Sequence, residues 1–117
     1  MFLNFNLGDD VVGYIVDGVM DTPSIEYLRD EILKRLDEHE TICVYLEDGG
    51  VEHFSLNSIV TTTLFPHKHR KRIRKTAMVT DRSWIHLIAG LNNIFVDTKI
   101  RNFKIKDRMK AIDWVSS

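Results

Sequence analysis

Apolar residues fall in short blocks separated by charged turns, and two of the longer blocks keep a helical stripe. Phe2, Leu3 and Phe5 make Met1–Asn6 a first strand. Gly8-Asp9-Asp10 is a turn, and Val11-Val12-Gly13-Tyr14-Ile15-Val16 is apolar on both alternating faces, as in an interior strand. The two predict a hairpin. Thr22-Pro23 opens a helix: the Thr hydroxyl can accept from an orphan amide, and Pro at the first helical position loses nothing. Ile25, Leu28, Ile32 and Leu36, with Leu33 beside them, carry the stripe to about His39, and Glu26, Asp30, Lys34, Asp37 and Glu38 face away.

Ile42–Leu46 predicts a second interior strand, bounded by the turn Glu47-Asp48-Gly49-Gly50. Residues 51–66 fit a helix only loosely, because Thr61-Thr62-Thr63 is β-branched and Pro66 ends the run. A marginal helix is expected there. Glycines beside a weakly held apolar segment suit a lid, and an amphipathic connection with a frayed end accounts for the segment as well. Ile73–Thr80 is a third interior strand, and Asp81 caps a helix bearing Trp84, Ile85, Ile88, Leu91 and Phe95. Thr98–Ile105 interleaves Lys99, Arg101 and Lys104, as at a sheet edge. A last helix covers Lys106–Val115, with Met109, Ile112 and Val115 on one stripe and Trp114 beside it. The order ββαβαβαβα predicts a single-domain α/β sandwich over residues 1–117, with a mixed, mostly parallel five-stranded sheet.

A chain of 117 residues is one domain and can bury a core without a metal or disulfide. The lone Cys43 lies in Ile42-Cys43-Val44-Tyr45-Leu46 and reads as a small buried hydrophobe. No signal-peptide pattern and no apolar stretch of spanning length is visible, so the cytoplasm is the expected compartment. Net charge is only −1, yet residues 1–58 hold 13 Asp/Glu against 3 Lys/Arg, while residues 59–117 hold 4 against 13. The basic half is densest at His67–Lys75, with six Lys/Arg in nine residues, just before a core strand.

Lys75-Thr-Ala-Met-Val-Thr-Asp-Arg-Ser-Trp84 resembles the strand-to-helix segment of the SpoIIAA-like proteins, a branch of the STAS superfamily. Ile100-Arg-Asn-Phe103 and Ala111-Ile-Asp-Trp114 are similar to that family's edge strand and closing helix, and His67-Lys68-His69-Arg70 to its basic approach. The resemblance is strongest over about residues 67–115. It implies a small α/β sandwich related to anti-sigma-factor antagonists and to CRAL-TRIO lipid-binding folds, with regulatory, ligand-binding or membrane-surface roles rather than catalysis. The antagonists' Asp-Ser-Ser-Gly type phosphorylation motif is absent. Ser55 and Ser58 are the nearest candidates for phosphorylation in that region.

The residues carry no phosphate-binding glycine motif, no Gly-x-Ser-x-Gly and no Cys-x-x-Cys. His67 and His69 sit among cations that would repel a metal, so neither a metal nor a cofactor is expected. Asp81 could act as a base, but a helix cap explains it fully. Trp84 stands at a strand-to-helix corner, where α/β folds bind ligands, and core packing would account for it equally. The expected site has Lys68, Arg70, Arg72, Arg74, Arg82 and Trp84 at its rim. The expected function is a non-enzymatic module binding a partner protein, a small acidic or lipid-like ligand or an anionic membrane surface, with homodimerisation left open. A small enzyme acting on an anionic metabolite is the alternative from another class. Nucleic-acid binding is disfavoured by the pI of about 6.5 and the lack of interleaved aromatics. The run could also be a solubilising collar that pairs with the acidic first helix.

Overall fold

The computed structural model describes residues 2–55, 72–81 and 98–117. Five strands form one sheet in chain order: β1 (Phe2–Asn6), β2 (Val11–Asp21), β3 (Ile42–Ser55), β4 (Ile73–Val79) and β5 (Lys99–Phe103). β1 is antiparallel to β2, and every later neighbour is parallel. Helix α1 (Thr22–Glu38) joins β2 to β3, and helix α2 (Arg108–Ser116) closes the chain after a 3-10 turn at Ile105–Asp107. The α/β architecture expected from the sequence is therefore present, with the first strand antiparallel.

Each sheet face has its own apolar layer. On one, Val12, Tyr14, Val16, Val44, Leu46 and Met78 meet Leu28, Ile32 and Leu36 of α1. On the other, Val11, Cys43, Tyr45, Ala77 and Val79 meet Ala111 and Val115 of α2 and Phe103. Alternation along β3 divides Val44 and Leu46 from Cys43 and Tyr45 in this way.

Several boundaries differ from the expected ones. The N-cap of α1 is Asp21, one residue before Thr22: its carboxylate accepts from the Ser24 N–H at 3.0 Å and from the Ser24 hydroxyl at 2.8 Å. Those bonds hold the Asp21 carboxyl below the usual carboxylate range. Met109 is 65% exposed and leaves the α2 stripe, which Ala111 and Val115 carry. The largest change is in β3. Glu47-Asp48-Gly49-Gly50 is strand rather than turn, and so are residues 51–55 of the segment expected to be helical. β2 continues beside it to Asp21, with register shifts on either side of Gly18, which has φ +67°. Paired strands thus run on past the end of β4, whose last partner on β3 is Glu47.

Candidate functional site

The overhang of β3 beyond β4 opens a cleft of about 640 Å³ at the carboxyl ends of the strands. It is lined by Glu47, Asp48, Gly49 and Gly50 of β3, by Asp81 after β4, and by Ile105 and Arg108. The carboxyl ends of parallel strands are the usual ligand side of open α/β sheets.

Glu47 follows Tyr45 on the α2 face and is nearly buried. Arg108, the first residue of α2, grips it with two bonds: Nε to Oε1 at 3.1 Å and Nη2 to Oε2 at 2.9 Å. A cation at a helix amino end opposes the helix dipole, and the facing carboxylate offsets that. The Glu47 bonds raise the Arg108 pKa further. The Tyr45 hydroxyl donates to Glu47 Oε1 at 2.5 Å. Burial first, then this bond and the Glu47 charge, push the phenol well above its usual range, so it stays a neutral donor.

Asp48 points to the opposite face. Its Oδ2 accepts from the Thr80 hydroxyl at 2.8 Å and its Oδ1 from the Gly50 N–H at 3.0 Å. Gly50 has φ +122°, a conformation suited to glycine. Gly49 is required sterically, since an added Cβ would lie 2.7 Å from Ile15 Cγ2. Asp81 Oδ1 accepts from the Ile105 N–H at 3.1 Å, which ties the end of β4 to the turn before α2. Glu47, Asp48 and Asp81 are thus held in hydrogen bonds that define the cleft wall. Cys43 is fully buried, and burial pushes its thiol up, away from the thiolate a nucleophile needs.

The structure distributes the sequence-predicted residues differently. Arg72 donates through Nε to Glu40 O at 2.7 Å and through Nη2 to His39 O at 2.8 Å and to Leu36 O. It therefore caps the carboxyl end of α1. Arg74 pairs with Asp10 at 3.0 Å in the β1–β2 connection. Lys75 donates to Trp114 O and Ser117 O and lies 5.4 Å from the centre of the Trp114 ring, fastening the end of α2. All three stand at the entry or in the first half of β4, whereas the cleft is at its exit, roughly 13–23 Å further along at about 3.3 Å per residue. Ser55 is the last residue of β3 rather than the opening of a helix. Lys68, Arg70, Arg82, Trp84 and Ser58 lie outside the described residues, as does the expected 51–66 lid beyond Ser55, its first five residues being strand. Among the described residues no cluster of metal-ligating side chains occurs.

Sequence reasoning missed Glu47, Asp48 and Arg108 as a constellation. The spacing of Tyr45 and Glu47 was a usable sign, because residues two apart share a strand face. Arg108 is 61 residues further on and could be joined to them only by the fold.

The chain matches the SpoIIAA-like family over residues 11–116, and it belongs to that family. A solved structure with the same fold is that of an uncharacterised protein with a SpoIIAA-like fold from Shewanella loihica PV-4. The two share 17% identity at a TM-score of 0.69, over 98% of this chain and 92% of that one. No curated protein matches the chain. The fold is of the STAS type, a class of regulatory or binding modules that are in general not enzymes. Among the described residues no helix is long and apolar enough to cross a membrane.

Proposed function

We propose that the protein is a cytoplasmic, non-enzymatic regulatory module that binds a small ligand, or an inserted group of a partner protein, in the cleft at the ends of β3 and β4. The observation that carries this reading is the cleft itself, an open space walled by mutually bonded polar groups. A general base or nucleophile needs an available lone pair aimed at the substrate. Glu47 is engaged by Arg108 and Tyr45, Asp48 by Thr80 and Gly50, and Cys43 is sealed in the core. That arrangement favours recognition over chemistry. Arg82 and Trp84 follow the cleft-lining Asp81 in sequence, and in this proposal they contribute to the ligand.

Native mass spectrometry of protein purified from its own host tests the proposal. A stoichiometric bound species is expected with the wild type and should be lost from Ile105→Trp, which places a bulkier side chain in the cleft wall, with circular dichroism checking that the variant is folded. Retention of the same species by Ile105→Trp, or of none by either protein, would contradict the reading.

A further inference from the structure

Two groups of cations contrast among the described residues after β3. Arg72, Arg74, Lys75 and Arg108 are engaged within the fold. Lys99, Arg101, Lys104 and Lys106 are all exposed, and among the described residues none has a carboxylate partner. They lie on β5 and the turn after it. β5 ends the described sheet, bonded to β4 on one side. Half of the backbone groups of such a strand point away from the sheet and can pair with another chain. Arg101 is held over the Phe103 ring at 5.1 Å, so its guanidinium is placed without being neutralised.

We propose that the outer edge of β5 docks an extended acidic segment of a partner protein by strand addition. Charge selects the partner. Lysines on an edge strand block pairing with a second copy of the same edge, because like charges would face each other. The same lysines favour a strand bearing carboxylates, so a single feature both excludes and selects. Lys99 and Arg101 are two residues apart on one face, which matches alternate carboxylates along an extended chain. Lys104 and Lys106 prolong the cationic track where the partner would leave the sheet. Phe103 is buried, so the edge presents no aromatic platform for stacking nucleotide bases. The β5 edge is a different surface from the cleft, although Ile105, between Lys104 and Lys106, lines the latter, so protection within residues 99–103 is the readout that belongs to the edge alone.

The test uses a fluorescein-labelled alternating Glu-Thr peptide, an alternating Lys-Thr control, and vesicles with and without phosphatidylserine. Anisotropy should show binding of the acidic peptide only, weakened about tenfold or more in Lys99→Glu/Lys104→Glu, two exposed positions, with circular dichroism checking that the double variant is folded. Hydrogen exchange should show slowed amides within residues 99–103 when the peptide is present. Four results would overturn the proposal: no peptide binding, equal binding by the double variant, binding without β5 protection, or binding to anionic vesicles in place of the peptide.

Discussion

Replacing Arg72 with alanine separates a structural basic run from a recognition site more sharply than any other single change. Its guanidinium reaches three carbonyls at or just beyond the end of α1, those of Leu36, His39 and Glu40. Hydrogen bonds from a charged donor contribute about 1.5–3 kcal/mol each when well buried. A cation at a helix carboxyl end adds about 0.3–1 kcal/mol. Arg72 is only partly buried, and water can replace some of what is lost, so the whole fork is worth about 2–3 kcal/mol. Unfolding entropy is about 2.1 cal/mol/K per residue, or about 0.25 kcal/mol/K for this chain, so Tm should fall by about 8–12 °C. Urea unfolding followed by circular dichroism measures the change directly. Arg72→Lys keeps the charge but not the fork and should recover less than half of the loss. Lys99→Ala, at an exposed position without a carboxylate partner among the described residues, serves as control and should stay within about 0.5 kcal/mol. If Arg72→Ala lost no more than that control, the capping role would be wrong and Arg72 would return to the set of free cations.

Three further expectations follow from the cleft wall and the core. Gly49→Ala should destabilise by about 1–3 kcal/mol, since its Cβ would meet Ile15 Cγ2 at 2.7 Å and Val16 O at 3.2 Å, and an unchanged urea midpoint would contradict the packing. In a double-mutant cycle, Arg108→Ala and Glu47→Gln should each lower Tm, with the double variant falling by less than their sum; strict additivity would show that the pair is not coupled. Tyr14 and Tyr45 both have phenol pKa values raised by burial, while an unfolded phenol titrates near 10. Above about pH 10 the unfolded chain has therefore released protons that the folded chain still holds, so stability is complete below that pH and declines as pH rises. Urea midpoints between pH 8 and 11 should show this decline, less steep in Tyr45→Phe, and a flat profile would refute it.

The order of the five strands, of α1 and of the closing helix was legible because interior strands and the α1 stripe have clear periods, and Leu28, Ile32 and Leu36 are buried as that stripe requires. The length of β3 was not legible. Glu-Asp-Gly-Gly is a turn by composition, and here it is strand because partners distant in sequence satisfy it: Arg108 holds Glu47, and Thr80 holds Asp48. The cleft depends on that overhang, so the same misreading hid the site. The basic run misled for a related reason. Charge density is visible in a sequence, but whether a cation is already committed is not. Arg72 and Lys75 serve the carboxyl ends of α1 and α2, where helix carbonyls lack partners. The sparser cations of β5 carry no such density, and edge strands commonly bear charge.

The central claim is that recognition occurs at the exit of β4 rather than at its basic entry. Amide hydrogen exchange compares protein as isolated from its host with the same protein unfolded and refolded to strip bound species. Slower exchange in the host-isolated form is predicted at Glu47–Gly50, Asp81 and Ile105–Arg108. Protection confined to Arg72–Lys75, or no difference at the cleft, would contradict the account.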